Sequence, residues 1–195
     1  MDPSAFDDTT WVARALQGEE GAYREILSRY QRPVFSLILR MVQNREEAED
    51  LAQDAFLKAF QALERYNPEY RFSSWLFKIA HNVTVDHLRK RKGTWISWNP
   101  HSFGATAEGE PQSVDLPASG ESPQEFTENR ALGRHIEAAI AQLRPEFRTA
   151  ILLRHVEGHT YEEVAEIMDL PLGTVKTFLH RGRGELRELL REANA

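Results

Sequence analysis

The 195-residue chain contains no cysteine, which excludes disulfides, thiolate nucleophiles and thiolate metal sites. No apolar run approaches the roughly 18 residues of a membrane span. The densest apolar stretch before the middle, residues 37–42, is interrupted by Arg40. A basic-then-apolar leader is also missing, so the expectation is a cytoplasmic protein without membrane insertion. Alternating apolar and polar runs of the strand type are absent, which points to an all-α chain. There is no glycine-rich phosphate loop and no nucleophile elbow. A protein without catalytic chemistry or cofactor is therefore expected.

Positive charge is missing from one long segment. Between Lys92 and Arg130 there is neither Lys nor Arg, but there are six acids, Glu108, Glu110, Asp115, Glu121, Glu125 and Glu128, which match the formal net charge of −6. The remainder is balanced, and its positive charge is clustered. Such clustering matters more to a polyanionic partner than the total does. Rich in Gly, Pro, Ser and acids and without a sustained period, residues 93–124 read as a flexible acidic linker. Helical patterning fills residues 10–92 before it and 125–192 after it, so two small helical domains are expected.

In the first domain, Asp8 to Thr10 offer caps ahead of Trp11, and Ala22, Ile26, Leu27 and Tyr30 make a stripe. Pro33 reads as the start of a helix carrying Val34, Leu37, Ile38, Met41 and Val42. Residues 46–63 form another, with Ala48, Leu51, Ala52, Ala55 and Ala59 on one face. Asn67-Pro68 breaks the chain. Ser73 or Ser74 then caps a helix through Trp75, Ile79, Ala80 and Val83 to the basic run Arg89-Lys90-Arg91-Lys92.

The second domain carries the most specific pattern. Residues 132–143 and 145–156 read as two helices, ended by Gly158. Thr160 caps a short helix, and Glu163 three residues later completes a capping box. Residues 169–173 turn the chain, and Thr174 begins a longer helix. Val175, Leu179, Leu186 and Leu190 form its apolar stripe, while Lys176, Thr177, His180, Arg181 and Arg183 fall elsewhere. This is a helix-turn-helix, in which the early turns of the second helix enter the major groove and reach base edges. Its Lys and Arg neutralise phosphates and release counterions. Gly182 and Gly184 weaken this helix, at about 1 kcal/mol each relative to Ala, without a reason in the sequence.

The stretch from Thr160 to Met168, followed by Gly173-Thr174-Val175-Lys176-Thr177 and Leu179-His180-Arg181-Gly182-Arg183, resembles region 4 of the extracytoplasmic-function (ECF) sigma factors of the sigma-70 family. The segment Ala48-Glu49-Asp50-Leu51-Ala52-Gln53-Asp54-Ala55-Phe56, with Phe72-Ser73-Ser74-Trp75-Leu76-Phe77-Lys78-Ile79-Ala80-His81-Asn82, resembles their region 2. Two motifs in the family order are far more specific than a lone helix-turn-helix, which would also suit a stand-alone regulator.

The resemblance implies a DNA-binding transcription initiation factor that binds core RNA polymerase, through the β′ clamp helices and the β flap, and directs it to promoter DNA. Asp50, Gln53, Asp54 and Phe56 would dock on polymerase; an acidic, amide-bearing face suits a basic or polar coiled coil. Tyr66, Asn67, Phe72, Trp75, Lys78, Asn82 and Arg89 would handle and help melt the downstream (−10) element, where bases leave the stack for an aromatic surface or pocket. Thr174, Lys176, Thr177, His180 and Arg181 would read the upstream (−35) element. An anti-sigma factor is the expected regulator. His155 and His159 are four residues apart, but no third ligand is evident, so a metal site is not expected. His81, Asp86 and His87 are explained by the helix pattern without hydrolase chemistry.

Overall fold

The protein is described here by a computed structural model covering residues 8–91 and 123–192. Every element among the described residues is helical: α1 (Asp8–Leu16), α2 (Glu20–Val42), α3 (Arg45–Gln61), α4 (Phe72–Arg91), α5 (Pro123–Gln142), α6 (Pro145–Ile151), α7 (Tyr161–Met168) and α8 (Leu172–Glu192). A 3-10 turn, Leu63–Arg65, follows α3, and a π-helical turn, Leu152–Val156, continues α6. The acidic segment expected to be a linker lies outside the described residues, apart from Pro123 and Gln124, which open α5.

Helices α1 to α4 pack into one bundle, and α5 to α8 into another. The alanine stripe of α3 explains how the first closes. Ala48, Ala55 and Ala59 are fully buried, and their small side chains let α3 approach α2 and α4 closely. Gln43 adopts a left-handed φ of 57° and sends its N–H to the Leu39 carbonyl, which stops α2. Asn44 then caps α3 by accepting from the Glu47 N–H at 3.0 Å, a contact typically worth about 1 kcal/mol.

Several boundaries differ from those the sequence suggests, among them the start of α5, which lies at Pro123 and not at residue 132. Pro33 lies inside α2 instead of opening a helix. An interior proline costs about 3 kcal/mol through its missing N–H and its ring. Burial of Ile26 before it and Val34, Leu37 and Ile38 after it, at about 1.5–3 kcal/mol per large side chain, offsets that cost. Neither Ser73 nor Ser74 is a cap: α4 begins at Phe72, and both serines lie inside its first turn, with Ser74 buried. The longer helix of the helix-turn-helix begins at Leu172, two residues before Thr174.

In the second bundle Gly158, at φ 75°, ends the π-helical turn. The Thr160–Glu163 capping box is present, with Glu163 N–H donating to Thr160 Oγ1 at 3.1 Å and Thr160 N–H to Glu163 Oε2 at 2.7 Å. Gly182 is explained by packing. A Cβ there would stand 3.1 Å from both Phe147 Cβ and Ile151 Cγ1, so glycine is what allows α8 to sit against α6. Gly184 faces open space, and nothing in the structure accounts for it.

The two bundles touch. Helix α7 packs on α4, and the end of α2 packs on α6. Arg40 donates to Glu137 through Nε at 2.8 Å and Nη2 at 2.5 Å, and Gln43 Nε2 donates to the Ala141 carbonyl at 3.0 Å. The Arg148 guanidinium, only 7% exposed, donates to the carbonyls of Ile140 at 3.1 Å, Leu143 at 3.0 Å and Ala141 at the end of α5. It also reaches the Arg40 carbonyl of α2 at 3.1 Å. Burial pulls its pKa down to about 10, which leaves it charged at neutral pH.

The two helix glycines make opposite predictions. Gly184→Ala gains up to about 1 kcal/mol of helix propensity and raises Tm. Gly182→Ala gains the same propensity but overpacks the α6–α8 contact, which costs about 1–3 kcal/mol, and so lowers Tm. Thermal denaturation of the two variants checks this.

Candidate nucleic-acid interface

The turn between α7 and α8 is built locally. Asp169 takes a left-handed φ of 54°, and the Leu170 N–H returns to the Ala165 carbonyl at 3.0 Å. Pro171 then precedes α8, its carbonyl accepting from the Thr174 N–H at 2.9 Å. Val175 and Leu179 turn fully inward. Lys176, Thr177, His180 and Arg181 are all exposed, and Thr174 is half-buried beside them. Spacings of one, three, four and five residues place these four exposed side chains on one face of the second and third turns. Thr177 is oriented by its hydroxyl, which donates to the Gly173 carbonyl at 2.9 Å.

Phe178 belongs to the opposite face. It is buried, with its ring 5.5 Å from that of Phe147. Its spacing from Val175 and Gly182 extends the apolar stripe by three and four residues, a signal that the simpler stripe of leucines overlooks.

On α4, Trp75, Lys78, Asn82 and Arg89 fall along one stripe, because intervals of three, four and seven residues return to nearly the same angle on a helix. Asn82 and Arg89 are exposed and Trp75 and Lys78 half-buried. Arg89 also pairs with Asp86 at 3.5 Å. The aromatics at the helix entrance divide into two kinds. Tyr66 and Phe72 are buried and form a three-ring cluster with Trp75, at centroid distances of 5.4 Å, 5.5 Å and 5.6 Å. This cluster supports the loop from beneath. The Tyr66 hydroxyl donates to the Tyr70 carbonyl at 2.6 Å, and Asn67 Oδ1 accepts from the Glu69 N–H at 3.0 Å, an Asx turn that shapes the tip. The ring the loop presents to solvent is Tyr70, 55% exposed.

On α3, Asp50 and Gln53 are exposed, and Asp54 is half-buried and paired with Lys58 at 2.9 Å. Phe56 lies beneath this face, buried and 6.0 Å from Phe60. The apolar side chain at the surface is Leu57, 57% exposed. It follows Asp54 by three residues and Gln53 by four, so the acidic face continues into an apolar one.

His81 and His87 have structural places. His81 is buried inside α4, and burial holds it neutral by lowering its pKa to about 4. His87 Nε2 lies 2.8 Å from Glu47 Oε2. His155 is exposed and His159 buried. Among the described residues no group of three or more His, Asp or Glu is placed to hold a metal. None of the described helices is long and apolar enough to cross a membrane.

Sequence comparison matches residues 26–94 to Sigma-70 region 2 and residues 134–186 to Sigma-70, region 4. The ECF RNA polymerase sigma factor SigW of Bacillus subtilis is 33% identical over 181 residues, 93% of this chain and 95% of that protein. The chain belongs to the ECF RNA polymerase sigma factors. The RNA polymerase sigma-H factor of Pseudomonas aeruginosa is 34% identical over 196 residues, 95% of this chain and 97% of its own. Among solved structures, CnrH in complex with the cytosolic domain of CnrY superposes with a TM-score of 0.67 at 20% identity, covering 96% of this chain and 99% of that one. RpoE in complex with the anti-sigma factor NepR from Bartonella quintana gives 0.63 at 23% identity, covering 87% and 96%. At these identities the structural matches establish a shared fold. As a sigma factor the chain serves transcription initiation by RNA polymerase and is not an enzyme.

This ECF sigma factor should lose stability in acid through its buried histidine. The folded pKa of His81, about 4, lies below the unfolded value of 6.5. The unfolded chain therefore takes up the proton first, and stability falls as pH drops from 6.5 toward 4 by up to about 3 kcal/mol. Tm should be lower at pH 5 than at pH 7, and the difference should shrink in His81→Leu.

Proposed function

We propose that this sigma factor reads a two-part promoter, with α8 on the upstream (−35) element and the α4 stripe and its entrance loop on the downstream (−10) element. The single observation that carries this reading is that one chain holds two separate exposed polar faces on the segments matched to regions 4 and 2. Lys176, Thr177, His180 and Arg181, with Thr174 behind them, contact bases and phosphates upstream. Downstream, Lys78 and Arg89 hold phosphates and Asn82 contacts bases. Asn67 and the Tyr70 ring receive an unstacked base as the duplex melts, while Tyr66, Phe72 and Trp75 keep the loop in shape.

Core polymerase docks on Asp50, Gln53 and Asp54 of α3 through its β′ clamp helices, with Leu57 added as an apolar anchor and Phe56 as the support beneath. Region 4 faces the β flap. An anti-sigma factor restrains the free protein. That RpoE and CnrH adopt this fold in their complexes with NepR and CnrY supports such a partner.

Reconstitution tests the reading: the protein is mixed with core polymerase and promoter fragments, and transcript starts are mapped. Initiation at sites sharing two dissimilar elements is expected. No gain in promoter-specific starts over core enzyme alone would sink the reading. Joint substitution of Lys176 and Arg181 by Ala should cut initiation that depends on the upstream element by tenfold or more, at about 1–3 kcal/mol per good base contact, while sparing core binding. Joint substitution of Asp50 and Gln53 by Ala should weaken core binding with little change in Tm, because both are surface positions. The reverse pattern would show the two surfaces to be misassigned.

A further inference from the structure

We infer that the first helix, α1, which carries none of the proposed DNA-contacting residues, is a brace for the downstream-element loop, and that Asp8 and Tyr30 are the positioning residues through which it acts. The inference deepens the promoter reading above and rests on it.

The loop of residues 66–71 is tied to α1 at both ends. At its entrance, α1 packs on the 3-10 turn Leu63–Arg65, which leads directly into Tyr66. At its exit the connection runs through side chains. Asp8, the first residue of α1, accepts from the Tyr30 hydroxyl at 2.5 Å through Oδ2 and from Arg29 Nη1 at 2.8 Å through Oδ1. The Tyr30 ring meets that of Phe72 edge-on, with centroids 5.6 Å apart. Phe72 opens α4 and belongs to the cluster with Tyr66 and Trp75. A phenol tied at its hydroxyl cannot swing away from that ring without giving up its hydrogen bond. Burial and the Asp8 carboxylate raise the Tyr30 pKa well above the usual phenol range, so the hydroxyl remains a donor at neutral pH.

The placement of this tether favours a local role over a global one. Val12 and Ala15 are buried and seat α1 on the bundle. The Asp8 and Arg29 side chains, by contrast, keep 26% and 29% of their exposure, and an ion pair this close to water adds little to overall stability. What it can do is fix geometry. A loop that already has the shape needed to hold an unstacked base loses less conformational freedom on capturing it, so the opened duplex is favoured. The Tyr66 hydroxyl is bonded to the Tyr70 carbonyl. A shift of Phe72 against Tyr66 would therefore reach the ring that the loop presents to solvent.

Three variants of the full chain test the brace. Asp8→Ala removes the tether, Tyr30→Phe removes only the hydroxyl, and Asp8→Asn keeps an acceptor for it. With core polymerase, on the promoter mapped by reconstitution, opening is followed by the permanganate reactivity of unpaired thymines. Asp8→Ala and Tyr30→Phe should slow opening of the duplex promoter by about three- to tenfold, and Asp8→Asn should recover most of the loss. Core binding and helical circular dichroism should not change. On a template already mismatched across the downstream element, the deficit in initiation should shrink to less than about twofold. In a Tyr70→Ala background Asp8→Ala should add little further loss, because residues that act through one element are not additive. The cysteine-free sequence also allows a spin label at Glu69→Cys, an exposed position, whose mobility in the protein without polymerase should rise with Asp8→Ala and Tyr30→Phe. Should Asp8→Ala lose helicity, Tyr30→Phe alone decides. Unchanged opening, an equal deficit on the mismatched template, or full additivity with Tyr70→Ala would overturn the brace. A wild-type protein that initiates nowhere would instead overturn the promoter reading, and label mobility that the variants leave unchanged would overturn the brace independently of it.

Discussion

The buried guanidinium of Arg148 holds the architecture together. The last carbonyls of α5 have no intrahelical partner and sit at the negative end of the helix dipole. One planar cation answers the Ile140 and Ala141 carbonyls at the end of α5 and the Leu143 carbonyl just beyond it, and crosses to the Arg40 carbonyl of α2. The fork of a guanidinium suits this task, because a lysine ammonium could not spread its donors so widely. The position of α6, and therefore the seat of α7 and α8, follows from where that fork is held.

From this anchor the two functional surfaces are set by packing of the opposite faces. Gly182 lets α8 approach Phe147 and Ile151, which turns Phe178 inward and leaves Lys176, Thr177, His180 and Arg181 facing out. In the first bundle the Tyr66–Phe72–Trp75 cluster plays the corresponding part. It fills the space under the entrance loop and carries Tyr70 to the surface. Exposure of the polar residues is thus a consequence of aromatic and glycine packing elsewhere on the same helices.

Much of this was legible in the chain. Helical periodicity marked the alanine stripe of α3, and the Thr160–Glu163 capping box located α7, because both are short-range signals. The exposed set on α8 followed from the same periodicity. At other positions a local signal competes with a tertiary one. Pro33 looks like a helix start because its ring favours that position, yet burial on both sides carries α2 through it. Ser74 looks like a cap because of its hydroxyl, yet it meets His159 from the other bundle. Tyr66 and Phe56 look like contact residues because aromatic and apolar groups suit interfaces, yet Tyr70 and Leu57 occupy the surface beside them.

The all-α class, the two patterned segments and the family motifs within them are encoded locally, because each depends on residues within a few turns of one another. The helix-turn-helix belongs to this class: its caps, turn and basic face are all encoded between residues 160 and 183. Tertiary structure alone decided which aromatics lie beneath the surface, why glycine stands at position 182, and that α7 rests on α4. Those outcomes depend on side chains brought together from distant parts of the chain, such as Ser74 with His159 and Arg40 with Glu137. No local period carries information about such pairs, since the free energy that selects them exists only once both bundles have formed.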